Sequence, residues 1–167
     1  MSPLCIFFMI VTAGFHTCRA ATVSQFQQQL LSEHNRLRAF HSAGPLRWNP
    51  TISKWAQQWA QEIAKRNKLE HRPNNKYGEN LYAVFGTTTI SAAQVVRSWY
   101  QEKKDFTYGR DPGAEFSKVG HFTQLVWKST KEVGCGAAVN GKNVYVVCNY
   151  SPPGNYRGQY ARNVSPN

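Results

Sequence analysis

Apolar residues recur every three or four positions in three stretches of the chain, which is the spacing of one helix face. The first stretch covers residues 23–40, with Ser24 as its N-cap, and the second begins near Pro50. The third covers residues 88–104 and places Glu102 in its last turn. A carboxylate at that end opposes the helix dipole, so Glu102 is expected to have a compensating partner. The second helix is predicted to bury one stripe: Ile52, Trp55, Ala56, Trp59, Ala60 and Ile63.

Two later segments have the composition of strands. Residues 132–139 and 143–150 are rich in β-branched and aromatic residues, and a short Asn-Gly-containing connection joins them. A hairpin with that connection places Cys135 directly opposite Cys148, and a cross-strand disulfide is predicted. Two reduced core cysteines are the alternative. Residues 67–77 and 105–120 are rich in turn-forming residues and are predicted as loops.

The first 20 residues are interpreted as a secretory signal peptide, which leaves residues 21–167 as one domain. Residues 4–15 form an apolar block too short to span a bilayer, and residues 18–20 match a signal-peptidase site. An uncleaved anchor is the alternative, because no basic residue lies near Met1. Cleavage would remove Cys5 and Cys18, leaving one pair of cysteines in an oxidising compartment, and the protein is predicted to be extracellular.

The charge is strongly positive. The whole chain carries +11, and removal of Arg19 with the leader leaves 19 basic against 9 acidic residues, or +10. This excess favours anionic partners such as membrane surfaces or acidic polysaccharides, with plain solubility as the alternative. No motif for reading bases is found, so nucleic acid is not an expected partner.

The run from Gly120 to Trp127 sets His121 beside an apolar, aromatic-rich segment that is expected to be buried. A buried polar group needs a partner, and the upstream candidates are His71, Glu79 and Glu102. These two histidines and two carboxylates could share one cleft. They could form either a purely hydrogen-bonded network or a metal or catalytic site.

Several motifs together resemble the CAP superfamily of cysteine-rich secretory, antigen 5 and pathogenesis-related 1 proteins. They are the runs at residues 34–38, 45–49, 56–60, 120–127 and 145–156. The resemblance implies an α+β fold, a three-layer α-β-α sandwich around a mainly antiparallel sheet. It also implies that His71, Glu79, Glu102 and His121 form a tetrad in an open cleft. In compactness the chain is similar to the Golgi-associated branch, although Ser2 replaces the glycine that myristoylation requires.

The tetrad allows two kinds of chemistry. His71 and His121 could bind Zn²⁺ or another divalent cation with low affinity, with the carboxylates orienting the imidazoles. A metal-dependent hydrolase, with Glu79 or Glu102 as general base, is an alternative. One proposed catalytic variant of the family uses a serine six residues after the first glutamate, where this chain has Phe85.

The family resemblance favours a secreted module that binds sterol, fatty acid or anionic phospholipid. The spacing of Tyr77, Tyr82 and Phe85 fits a loose caveolin-binding pattern, and the loop with Phe106, Tyr108 and Phe116 could add apolar surface. These six residues are the candidate lipid contacts, with core packing as the alternative. A defence or venom-like protein that acts on a cell-surface or microbial partner is a further alternative.

Overall fold

Five helices and four strands make up the part of the chain that the computed structural model describes, residues 15–167, with side chains described from residue 25 onward. Residues 1–14, which hold most of the predicted signal peptide, lie outside the described residues. In chain order the elements are α1 (Phe15–Ala39), β1 (Arg47–Trp48), α2 (Pro50–Arg66), β2 (Gly78–Val84), α3 (Ala92–Tyr100), α4 (Phe116–Val126), β3 (Glu132–Asn140), β4 (Asn143–Ser151) and α5 (Tyr160–Asn163). Short 3-10 turns cover Gln101–Asp105 and Gly113–Glu115.

The four strands form one sheet in the order β1-β3-β4-β2. Only the β1–β3 pair is parallel, so the predicted mainly antiparallel sheet is confirmed. Helix α2 packs on one face of the sheet, over Tyr145 and Val147. Helices α1, α3 and α4 cover the other face, over Val146, Cys148 and Tyr150. The predicted three-layer α-β-α sandwich is therefore confirmed.

The hairpin of β3 and β4 has the predicted register. Cys135 lies opposite Cys148, with a Cα–Cα distance of 4.1 Å, and the two form a disulfide. The predicted bridge is confirmed, and the alternative of two reduced cysteines is excluded.

Helix α2 lies close against β3 because two glycines of that strand, Gly134 and Gly136, leave room for the helix backbone. The Asn49 side chain caps the helix start, and a Cβ atom on Gly136 would lie 2.2 Å from the Cα atom of Gln57. The Gln57 amide then pairs with the backbone of Ala137, donating to its carbonyl at 2.9 Å and accepting from its N–H at 3.0 Å. Since β1 is only two residues long, this side chain takes the place of a neighbouring strand along the edge of β3.

Two polar side chains of α1 are fully buried in the core. Arg38 donates to the backbone carbonyls of four residues, Gly44, Leu125, Trp127 and Thr130, at 2.8–3.1 Å. Burial lowers the pKa of Arg38 to about 10. His34 donates from Nδ1 to the carbonyl of Leu30 at 2.6 Å and accepts at Nε2 from the Tyr150 hydroxyl at 2.8 Å. These bonds satisfy both ring nitrogens of a neutral imidazole.

Several predicted boundaries were wrong. The third helix is shorter than predicted, because Ser91 caps α3 and Glu102 lies in the 3-10 turn that follows it. The predicted loop of residues 105–120 contains the first turn of α4, where Gly120 lies against the ring of Phe116. Trp55 is only partly buried, because it lies at the edge of α2 beneath Arg72. In the described residues, no helix combines the length and apolarity needed to cross a membrane.

Candidate functional site

The first histidine–glutamate pair joins the 67–77 loop to the start of β2. His71 Nδ1 lies 2.8 Å from Glu79 Oε1, and the His71 side chain is 64% exposed whereas that of Glu79 is 4% exposed. The Glu79 carboxylate also accepts from the Arg72 N–H and from the amides of Asn75 and Asn149, at 2.9–3.1 Å. Four donors therefore fix the carboxylate, and it in turn orients the exposed imidazole.

The second pair joins the turn after α3 to helix α4. His121 Nδ1 lies 2.6 Å from Glu102 Oε1, and Glu102 Oε2 accepts the backbone N–H groups of His121 and Phe122 at 2.9 and 3.1 Å. The imidazole also stacks on the Trp99 ring, with centroids 6.3 Å apart. The unfavourable position of Glu102 after α3 is thus offset by three donors from α4.

Two adjacent residues of β2, Glu79 and Asn80, connect the two histidine–glutamate pairs. Glu79 belongs to the first pair, and the Asn80 amide donates to the backbone carbonyl of His121 at 3.0 Å and to the Tyr150 hydroxyl at 3.2 Å. Through Tyr150 this network reaches His34 in the core. The four tetrad side chains are therefore organised as two pairs, connected through β2.

An open cleft of about 390 Å³ lies beside the first pair. On its lining the backbone of Gly78 lies close against the Gln124 side chain, since a Cβ atom on Gly78 would lie 2.0 Å from Gln124 Oε1, and that oxygen accepts the N–H of Gly154 at 2.8 Å. The lining includes His71, Glu79 and Phe116, but not Glu102 or His121.

Both imidazoles use Nδ1 toward a carboxylate, which leaves each Nε2 as the nitrogen that could coordinate a cation. No group of three or more His, Cys, Asp or Glu side chains in the described part of the chain is arranged to hold a metal ion. This donor set fits a weak site with at most two imidazole ligands, in which His71 and His121 would hold the cation.

The structure distributes the six candidate lipid contacts over separate places. Tyr77 and Phe116 line the small cleft. Phe106 and Tyr108 pack against each other in the core, with ring centroids 5.1 Å apart.

The proposed aromatic motif on β2 is also divided. Tyr82 packs on the side of the sheet that faces α1 and α3, and its hydroxyl accepts from Gln94 at 3.2 Å. Phe85 is 63% exposed and contacts Tyr145, whose ring packs on the α2 side. These two side chains therefore do not form one groove.

A larger cavity, which we call the trough, was missed by the sequence analysis. It has a volume of about 960 Å³, and none of the six candidate aromatics lines it. One wall is apolar and comes from α1, the segment before α3, β3 and β4: Phe26, Leu30, Ile90, Val139 and Val144. The opposite wall comes from α2 and carries Lys54, Gln57 and Gln61. The trough lies where β1 ends after two residues and leaves the rest of the β3 edge without a neighbouring strand.

Comparison with known proteins gives a consistent family assignment. The chain matches the CAP family, described as the cysteine-rich secretory protein family, over residues 31–150. It is 36% identical over 155 residues to pathogenesis-related protein 1A of Nicotiana tabacum, covering 92% of this chain and 88% of the tobacco protein. It is 37% identical over 150 residues to cysteine-rich secretory protein 1 of Mus musculus, covering 84% of this chain and 61% of the mouse protein.

Solved structures show the same fold. The structure of BmVAL-1 superposes with a TM-score of 0.69 at 24% identity, covering 85% of this chain and 84% of BmVAL-1. NaASP2, crystallised with Zn²⁺, superposes with a TM-score of 0.69 at 27% identity, covering 85% of this chain and 87% of NaASP2. On these grounds the chain belongs to the CAP family of cysteine-rich secretory proteins.

Proposed function

We propose that this protein is a secreted carrier that binds a sterol or fatty acid in the trough and exchanges it with anionic membranes. The trough is the observation that supports this proposal. Its volume of about 960 Å³ lies at the upper end of the range of small-molecule sites, about 300–1,000 Å³. One apolar and one polar wall suit a ligand with a long apolar body and a single polar end. Lys54 supplies a positive charge that could pair with a fatty-acid carboxylate.

A charge placed on the apolar wall tests the trough. Ile90→Arg should weaken binding of a fluorescent fatty acid or sterol by more than about tenfold, because a guanidinium would replace apolar contact there. Phe40→Arg is the matched control, since Phe40 is 50% exposed and does not line the trough. Thermal unfolding of both variants checks that each is folded. Equal binding by wild type and Ile90→Arg, or no binding by wild type, would exclude the trough as the lipid site.

Metal binding is a second candidate function, favoured by the unengaged Nε2 atoms of His71 and His121. A cation bound by these imidazoles would act as a Lewis acid, and Glu79 and Glu102 would keep each imidazole in the tautomer that can bind it. The relative NaASP2 was crystallised with Zn²⁺. His71→Ala combined with His121→Ala should abolish the heat of Zn²⁺ titration and leave the fold intact. Unchanged titration would leave the tetrad as a purely hydrogen-bonded network.

A further inference from the structure

Two cations beside the small cleft have no carboxylate partner, unlike their neighbours in the chain. Arg66 forms ion pairs with Glu62 and Glu70, and Lys68 also pairs with Glu70. In contrast, Arg72 and Lys76 form no ion pair with any described residue. Among the basic residues of the 66–76 segment, Arg72 and Lys76 are therefore the ones whose charge is not paired with a carboxylate of a described residue.

Both cations are held over one aromatic ring. The guanidinium carbon of Arg72 lies 3.5 Å from the centroid of Trp55, and Nη1 donates to the Trp55 carbonyl at 2.9 Å. Lys76 Nζ lies 5.3 Å from the same centroid and 5.2 Å from that of Tyr77. The Trp55 indole donates to Asn75 at 3.3 Å, which fixes the ring. We call the Trp55 ring with these two cations the platform; it places both positive charges within 5.3 Å of one ring centroid, where a bound anion would be attracted by both.

The chemistry of Arg72 and Lys76 favours a phosphate group as the bound anion. The planar fork of an arginine matches phosphate oxygens, and in the described chain only one of its terminal nitrogens makes a hydrogen bond. Lysine adds a second positive charge without demanding a fixed geometry. Together the two side chains fit a group with several anionic oxygens.

The surroundings favour a lipid headgroup as the source of that phosphate. Leu69, in the same loop, is 47% exposed, and Phe116, on the lining of the small cleft, is 45% exposed. Tryptophan and tyrosine are enriched where proteins meet the headgroup layer, and apolar side chains beside them enter the acyl boundary. We propose that Arg72 and Lys76 bind the phosphate of an anionic phospholipid and so dock this side of the protein on the membrane. The proposal rests on the membrane part of the proposed function and does not depend on the trough.

Vesicle binding with two matched double variants tests this site. Arg72→Gln with Lys76→Gln removes two charges from the platform. Lys65→Gln with Lys142→Gln removes two exposed charges at the opposite end of the sheet, near the turn that joins β3 to β4. Co-sedimentation would use phosphatidylcholine vesicles with and without phosphatidic acid. Each basic residue near an anionic surface contributes about fivefold in affinity, so the platform variant should bind about 30-fold more weakly. The control variant should bind within about threefold of wild type, because its charges lie farther from the membrane than the Debye length of about 10 Å.

Each remaining outcome overturns a defined part of the inference. If both double variants weaken equally, net charge alone drives binding and the site is excluded. If wild type and the platform variant bind vesicles equally, membrane association stands and this site is excluded. If the wild-type protein binds no vesicles of either composition, both the proposed membrane function and this site are excluded. Binding of glycerol phosphate to wild type without vesicle binding would exclude a lipid source. Arg72→Lys should lie between wild type and the platform variant, since it keeps the charge and loses the fork.

Discussion

The buried imidazole of His34 should make the fold sensitive to acid in a defined pH window. The pKa of His34 is lowered from its ordinary value of 6.5 to about 4, mainly by burial and in smaller part by the nearby Arg38 charge, while the Leu30 carbonyl and Glu33 oppose the shift. Protonation would place a proton on Nε2, where the Tyr150 hydroxyl now donates. That hydroxyl would then need another acceptor inside the core.

The direction of the effect follows from where each state binds the proton. The unfolded chain takes it up below pH 6.5, whereas the folded protein takes it up only below about pH 4. The stability contributed by neutral His34 is therefore complete above pH 6.5 and is lost as the pH falls toward 4. Between pH 7 and pH 4.5 the loss amounts to about 2 kcal/mol for this one group.

Urea unfolding at pH 7 and pH 4.5, followed by tryptophan fluorescence, measures this loss. His34→Gln should lower the pH dependence by about 2 kcal/mol relative to wild type, whatever its stability at pH 7. Burial also lowers the pKa of His41, whose contribution remains in the variant. Leu37→Ala is the control, because it destabilises the same helix without removing a titrating group.

Two results would refute this reasoning. One is an equal loss of stability in wild type and His34→Gln between the two pH values. The other is an NMR titration in which the His34 ring of the folded wild type gains its proton above pH 6. The titration is decisive even if the glutamine variant does not fold.

Three further changes should affect stability through single identifiable contacts. Arg38→Met removes the donor to four buried carbonyls and should lower the free energy of unfolding by at least about 3 kcal/mol in urea, whereas a loss below about 1 kcal/mol would mean that other donors replace it. Gly136→Ala should cost about 2 kcal/mol, because its Cβ would lie 2.2 Å from the Cα of Gln57, whereas Gly44→Ala, with nothing within 4 Å, should leave the melting temperature unchanged. Equal melting temperatures for the two alanine variants would contradict the close packing of α2 on β3. Reduction of the cross-strand disulfide, which spans 13 residues, should lower stability by about 3 kcal/mol, and an unchanged urea midpoint in dithiothreitol would contradict this.

Elements with local signals were predictable from the sequence. The β3–β4 hairpin and its disulfide follow from two strand-like runs separated by an Asn-Gly turn, because register in a hairpin depends only on neighbouring residues. Helix α2 follows from one apolar stripe and from the proline at its first position. Helix α4 was not predicted, because local loop signals around Gly113 are outweighed by tertiary burial of Phe122 and Leu125.

The candidate site was only partly predictable. The sequence and its family resemblance predicted which four residues form the tetrad. The pairing of Glu102 with His121, however, joins residues 19 positions apart and depends on how α3 packs against α4. The trough could not be read from any single segment, since it lies where β1 ends after two residues and the edge of β3 is left between α1 and α2. The platform under Arg72 depends on Trp55, whose stripe position alone predicted a core residue.

The pairing of Gln57 with Ala137 also bears on how this protein behaves at high concentration. An uncovered strand edge is a template on which another chain can add a strand, and such growth leads to aggregates. Here one amide side chain occupies both backbone groups of Ala137, and the Ser53 hydroxyl occupies the carbonyl of Cys135 at 2.8 Å. The middle of β3 is thus closed to edge-to-edge association by side chains that the protein's own helix provides. The sheet is thus protected at this edge even though it is not closed into a barrel.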